Sequence, residues 1–259
     1  MLLALDIGNT NISVGVFDSD VGPDHAPTAT WRIATDRDRM PDEYGLLLSN
    51  LLALKGLTVR DISSAAICSG VPPLTPVFQE VCTGPLGVEP MVVGAGVKTG
   101  VRILYDSPRD VGADRIADAA AALVLYGGPA IVVDFGTATV FDAISADAEY
   151  VGGAIAPGIS VAADSLYHST SQLRRVELER PSSAIGRNTV HAIQSGLVFG
   201  YTDMVKGMVA RFDEELRGGS KVIATGGLAD LFANEAGIFD VVLPNLTLSG
   251  LQIIHELNS

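Results

Sequence analysis

LALDIGNTNISV (residues 3–14) is answered later in the chain by VVDFGTATVFDA (residues 132–143). In each, an apolar strand carries an aspartate, Asp6 or Asp134, into a turn of glycine with hydroxyl or amide residues, and a second β-rich run follows. Such a hairpin presents main-chain N–H groups beside an acid, which suits phosphate and its metal ion. In the first copy Asp6 is suited to hydrated Mg2+ or a phosphate-bound water, and Gly8 permits close backbone approach. Asn9, Thr10, Asn11 and Ser13 supply hydrogen bonds for phosphoryl oxygens. In the second copy Asp134 is suited to a cation, and Thr137 with the Gly136 backbone to another part of a polyphosphate. Thr139 is expected to point into the sheet. Glycine, asparagine and aspartate are also the commonest turn residues, so either stretch alone reads equally as an ordinary turn. The doubling favours chemistry. About half of the 259-residue chain separates the two aspartates, which predicts duplicated domains with the two turns facing across a cleft.

The rest of the chain divides accordingly. Strands are predicted at about 2–7, 12–18 and 29–34, then a helix from Pro41 whose leucines 47, 48, 51, 52 and 54 recur with helical spacing. A strand near 64–69, a helix near 75–83 and a short strand at 91–93 complete a β-β-β-α-β-α-β order. The second half repeats it: strands near 130–135, 138–145 and 149–155, helical chain from 158, a long helix near 188–217 and a strand at 222–224. A helix near 227–235, a strand at 241–242 and a helix from 247 finish the chain, and a surface hairpin loop is expected at 19–28. The domains are expected to be 1–115 and 116–259, closely packed, since no low-complexity linker divides them.

With 47% hydrophobic residues, each half has enough apolar surface for a core. A net charge of −13 without a compensating Lys/Arg cluster speaks against a nucleic-acid binder. An anionic substrate then needs a local positive site, which singles out arginines in turns. MLLALDIGNT lacks the basic start of a signal peptide, and no apolar run reaches membrane-spanning length, so no membrane association is expected. Cys68 and Cys82 have no C-x-x-C spacing and the four histidines are scattered, which fits a reduced, cytoplasmic chain without a zinc site.

Two further stretches bear on chemistry. Residues 111–127, VGADRIADAAAALVLYG, are an Ala-rich helix with Gly112-Ala113-Asp114-Arg115 at its start. Asp114 reads as a first-turn acid favoured by the helix dipole. It reads also as a proton acceptor for a substrate hydroxyl, with Arg115 holding an anionic group. Thr225-Gly226-Gly227 either lets the backbone approach a flat ligand such as a purine ring or ribose, or is a plain strand-to-helix turn. No G-x-x-x-x-G-K-[ST] or G-x-S-x-G sequence exists, and GAGVKTG at 94–100 has the wrong spacing and no following helix for a dinucleotide loop.

Together, D-x-G-N-T-N at 6–11, GADR at 112–115, D-x-G-T-A at 134–138, GGAIAPGIS at 152–160 and IGRNT at 185–189 resemble type III pantothenate kinase. The acidic turns are shared by the acetate and sugar kinase, actin and heat-shock chaperone superfamily, whereas GADR with IGRNT is more specific. The resemblance implies an α/β fold of two duplicated ribonuclease H-like (actin-like ATPase) domains with an interdomain cleft, and a homodimer formed through the second domains. It implies phosphorylation of pantothenate by ATP to 4′-phosphopantothenate, the first step of coenzyme A biosynthesis. By the same resemblance Asp6, Ile7, Gly8, Asn9, Thr10, Asn11, Ile12 and Ser13 contact ATP with Thr137, Asp6 serving Mg2+. Asp134 ligates a monovalent cation, potassium or ammonium. Gly112, Ala113, Asp114 and Arg115 bind pantothenate, with Asp114 the general base, Tyr105 a lid over the pocket, and Thr189 a contact across the dimer interface. Arg187 replaces a more usual lysine, Val140 a frequent threonine and Arg174 a frequent proline. Another small-molecule kinase of the superfamily, or a non-catalytic regulator with the same fold, shares the generic turns.

Overall fold

The computed structural model describes residues 1–18, 22 and 25–259, so the loop expected at 19–28 lies in part outside the described residues. In chain order the elements are β1 (Leu2–Ile7), β2 (Asn11–Phe17), β3 (Ala29–Ala34), α1 (Pro41–Ala53), β4 (Ser64–Ser69), α2 (Leu74–Thr83), β5 (Pro90–Val92), β6 (Arg102–Ile103) and α3 (Ala113–Tyr126). There follow β7 (Ala130–Phe135), β8 (Ala138–Ile144), β9 (Glu149–Pro157), α4 (Ile159–Ser169), α5 (Thr189–Glu215), β10 (Lys221–Thr225), α6 (Ala229–Ala236), β11 (Val241–Val242) and α7 (Leu246–Glu256). The two-residue β6 has no counterpart in the expected order.

Two compact units are formed, residues 1–125 with 245–259, and residues 126–244. This corrects the expected division at 115/116 with all of the remainder in one domain. The C-terminal helix packs with the first unit: α7 lies against β1, β2 and β4. A side chain at Gly250 would put its Cβ 2.0 Å from the Ala117 carbonyl oxygen, so α7 and α3 approach to backbone contact where only glycine fits.

In the first unit the sheet order is β3-β2-β1-β4-β5. β1 pairs antiparallel with β2 and β2 with β3, while β1–β4 and β4–β5 are parallel. Central β1 is buried except at Met1 before it and Asp6 near its end, as expected of a strand covered on both faces. Leu3, Leu5, Ile7, Ile12 and Val14 pack with Tyr44 and Leu48 of α1 and Phe78 of α2. Each wholly buried Leu or Ile contributes ~1.5–3 kcal/mol. Strand alternation then turns Asp6 to the other face, where Leu248 of α7 touches the β2 backbone at Gly15.

Within the second unit the strands run β11-β10-β7-β8-β9, the same order and the same mixture of pairings. β7 has the burial pattern of β1, with Asp134 in the position of Asp6. Ile131, Val133 and Phe135 pack with Phe141, Leu197, Val205 and Phe232, and the Phe135 and Phe232 rings stack at 4.6 Å. Two sheets of one topology, each backed by helices, constitute the duplicated mixed α/β fold expected from the sequence.

Candidate active site

In the first unit the register sets a row of side chains across four strands. Cys68 on β4, Asp6 on β1, Ser13 on β2 and Arg32 on β3 are successive register partners, and partners on neighbouring strands share a face. A thiol, a carboxylate, a hydroxyl and a guanidinium thus follow one another at the strand ends. The Cys68 thiol donates to Asp6 Oδ1 at 3.3 Å.

The turn after Asp6 is held from several sides. Gly8 N–H donates to Asn11 O at 3.1 Å. The Thr35 hydroxyl donates to Gly8 O at 2.6 Å and Thr35 N–H to Thr10 O at 3.0 Å. Arg37 Nη2 donates to Asn9 Oδ1 at 2.9 Å. Asn9, Thr10 and Asn11 are exposed and Ser13 half-buried, so their polar groups face outward. Ile7 and Ile12, expected among the ATP contacts, have side chains wholly buried in the core. Only their main chain is left for a ligand.

Asp114 occupies the first turn of α3, half-buried. Its Oδ1 accepts the Arg115 N–H at 2.9 Å. A Cβ at position 112 would lie 2.3 Å from that same oxygen, which explains the glycine that opens GADR. Burial pushes the Asp6 carboxyl up to about 6, and the Asp114 charge adds to the rise, while the Cys68 thiol opposes it. The Cys68 thiol is itself driven up by burial and then by Asp6, Asp114 and Asp118. The Asp6 turn and the start of α3 therefore converge on one acidic locus. Cys68 and Asp118, 3% exposed and one helical turn beyond Asp114, were not singled out from the sequence. The Asp114/Asp118 i,i+4 spacing within an Ala-rich helix was the available signal. Tyr105 is half-buried in the chain between β6 and α3. Arg115 is buried.

In the second unit Asp134 is the penultimate residue of β7, with Thr225 and Val140 as register partners. Thr137 is exposed and its carbonyl accepts Gly158 N–H at 3.1 Å, while Gly136 N–H donates to Ala138 O at 3.0 Å. Thr139 is buried as expected. Gly226 has φ +91°, and a Cβ there would lie 2.3 Å from Asp134 Oδ1 and 2.6 Å from Phe135 N. Thus the first glycine of TGG serves close approach of the Asp134 turn. Asn188 caps α5 by accepting His191 N–H at 2.9 Å, which leaves Thr189 exposed in the first helical turn. Thr189 borders an apolar groove of about 460 Å3 lined also by Leu166, Leu173, Ala192, Ile193 and Leu197.

Comparison with known proteins bears on the family and the fold. The family model described as type III pantothenate kinase matches residues 2–211. A type III pantothenate kinase of Moorella thermoacetica is 50% identical over 259 residues, covering 100% of both chains. Among solved structures, a Campylobacter jejuni protein described as a Baf family transcriptional activator superposes with TM-score 0.63 at 20% identity, over 99% of this chain and 98% of its own. A Sinorhizobium meliloti protein described as a 2-dehydro-3-deoxygalactonokinase superposes with TM-score 0.60 at 16% identity, over 99% and 96%. At these identities the two structures bear on the fold alone.

Proposed function

Because the chain belongs to the type III pantothenate kinase family, and is thereby an ATP-dependent kinase of pantothenate in coenzyme A biosynthesis, we propose that its chemistry is centred on Asp114. The observation that supports this reading is the half-buried Asp114 in the first turn of α3, close enough to Asp6 for its charge to add to the rise that burial gives the Asp6 carboxyl. Asp114 acts as general base for the primary hydroxyl of pantothenate. Gly112, Ala113 and Arg115 bind the remainder of that substrate, and Tyr105 covers it. The exposed groups of Asn9, Thr10, Asn11 and Ser13, with the main chain of residues 6–13, orient the ATP phosphates, and Thr137 adds a contact.

Phosphoryl transfer passes through a loose transition state, so positioning and charge neutralisation dominate. The γ-phosphoryl group leaves ADP in line as the pantothenate oxygen attacks, and Asp114 takes the hydroxyl proton late. A positioned base is worth ~10²–10⁴-fold. A hard divalent cation fits the Asp6 side, where two carboxylates repel one another and Asp6 is held near 6. A monovalent cation is assigned to Asp134, the half-buried carboxylate beside the second hairpin turn. When bound, Mg2+ at Asp6 and potassium or ammonium at Asp134 supply charge neutralisation to the phosphates.

A homodimer is supported by the apolar groove beside Thr189 and by exposed Val161, Leu166, Tyr167 and Ile185 on the same unit. Thr189 would then reach pantothenate in the partner's pocket. Two buried free cysteines favour a reducing, cytoplasmic setting, and among the described residues no helix is long and apolar enough to cross a membrane.

The direct test is an ATP-consumption assay of the purified protein with pantothenate, with sugars and with no acceptor, each with and without potassium. Phosphate transfer that requires pantothenate and rises with potassium is expected. Equal turnover with a sugar overturns the substrate, and indifference to the ion overturns the role of Asp134.

A further inference from the structure

The exposed arginine beside the Asp6 turn is absorbed by none of the roles above. In a chain of net charge −13, the locus of Asp6, Asp114 and Asp118 repels a polyphosphate, so a fixed cation is required close to the turn. Arg37 supplies one. It donates from Nη2 to Asn9 Oδ1 at 2.9 Å, and it forms no ion pair among the described residues. Its neighbour Arg39 is committed otherwise, 5.2 Å above the Tyr44 ring and 3.7 Å from Asp36 Oδ2.

The short segment carrying Arg37 is fixed at the two residues before it. Thr35 grips the turn through Gly8 O and Thr10 O. Asp36 N–H donates to Tyr44 Oη at 3.0 Å, and Tyr44 Oη donates back to Asp36 O at 2.8 Å. Tyr44 is wholly buried, its ring 4.6 Å from Phe78. Arg37 thus projects from a backbone anchored in the core. A guanidinium has donors only, so the Asn9 atom that it touches must be the amide oxygen. That contact turns Asn9 Nδ2 away from Arg37, and it leaves other guanidinium N–H groups free in solvent beside the turn.

We propose that Arg37 is a phosphate-binding residue of the nucleotide site, one that also orients the Asn9 amide so that both present donors to the ATP polyphosphate. The assignment rests on reading residues 6–13 as the nucleotide turn. Guanidinium suits the role because its planar, pre-organised fork reaches an amide oxygen and a phosphate together with less freedom lost per hydrogen bond than an ammonium.

The test measures the Kd of a non-hydrolysable ATP analogue, with Mg2+, for wild type, Arg37→Ala, Arg37→Lys, Arg37→Gln, Arg39→Ala and Asp6→Asn, alongside Tm and the KM for pantothenate. Arg37→Ala is expected to weaken the analogue about tenfold, the effect of one charge-assisted hydrogen bond. Tm and pantothenate KM should not move. Arg37→Lys should recover part of the loss and Arg37→Gln less, with Arg39→Ala within about twofold of wild type. The proposal is overturned by an unchanged Kd in Arg37→Ala, by full rescue with glutamine, or by an equal loss in Arg39→Ala. If Asp6→Asn also leaves Kd unmoved, the nucleotide turn itself is wrong; if Asp6→Asn alone shifts Kd, only the Arg37 assignment falls.

Discussion

The Asp6 and Asp134 turns stand on the same frame and differ in what surrounds the carboxylate. Both aspartates are the penultimate residue of a buried central strand, with an antiparallel neighbour on one side and a parallel one on the other. Around Asp6 the register partners are Cys68 and Ser13, and the thiol donates to the acid. Around Asp134 they are Thr225 and Val140, and Thr225 Oγ1 donates instead to Leu243 O at 2.8 Å. Four residues, 8–11, lie between the last paired positions of the first hairpin, against three, 136–138, in the second. The first turn is braced by Thr35 and Arg37, the second by Gly158 and by the backbone approach at Gly226. Duplication preserved the strands and the acid. Divergence at the register partners and braces gives the two acids different surroundings, and in the proposed function one serves phosphates and the other a different ion.

The sharpest way to break this comparison is to look outside both turns. Asp114→Asn should lower kcat by ~10²–10⁴-fold with Tm unchanged, because the base is removed and the helix start is kept. Near-normal turnover would remove Asp114 from the mechanism. Next in size is the exchange of ion dependence. Asp134→Asn should weaken activation by potassium on the order of 10–100-fold in apparent affinity and leave the Mg2+ dependence unaltered, and Asp6→Asn should do the reverse. If both variants respond to the same ion, the two turns are not functionally distinct.

The strand frame was legible because each central strand is a continuous apolar run stopped by Asp and Gly, and strand boundaries lie within a residue or two of expectation. The identity of the partners was not legible to the same degree. Cys68 reads as one more apolar residue of SAAICS, and it meets Asp6 only through parallel pairing of strands 62 residues apart. Arg37 lies in a charged run, TDRDR, in which nothing local separates it from Arg39. The expected domain boundary failed for a similar reason: α7 belongs to the first unit through contacts such as Gly250 with Ala117, which leave no trace in local sequence. TGG invited a ligand, and the close neighbour of Gly226 is the chain's own Asp134 turn.

A smaller effect probes the brace of the second turn. Gly226→Ala forces a side chain onto φ +91° and into the Asp134 carboxylate and Phe135 backbone. It should cost about 1–3 kcal/mol from the backbone conformation alone, seen as a lower unfolding midpoint in urea, together with weaker potassium activation. Unchanged stability would mean that the turn has room to yield.

A shift of less than about one pH unit, the smallest effect expected, tests the register partner of Asp6. With its carboxyl raised from the ordinary 3.8 to about 6, Asp6 favours the folded state fully only below about 4 and loses that contribution as pH rises through 6. Without nucleotide or divalent ion, Asp6→Asn should therefore stabilise the protein at pH 8, by up to about 3 kcal/mol, and have no effect near pH 4. The thiol works against the rise, since a donor to the carboxylate favours its charged form. Cys68→Ala should consequently move the acid limb of kcat/KM for ATP to higher pH by less than about one unit, the worth of a weak hydrogen bond. Cys68→Ser, which restores a donor, should return it. Thr225→Val removes the corresponding hydroxyl of the second copy, whose partner is a carbonyl, and should leave the limb in place. A limb that shifts in Thr225→Val, or stays fixed in Cys68→Ala, would show that register partners do not set the chemistry of the two acids.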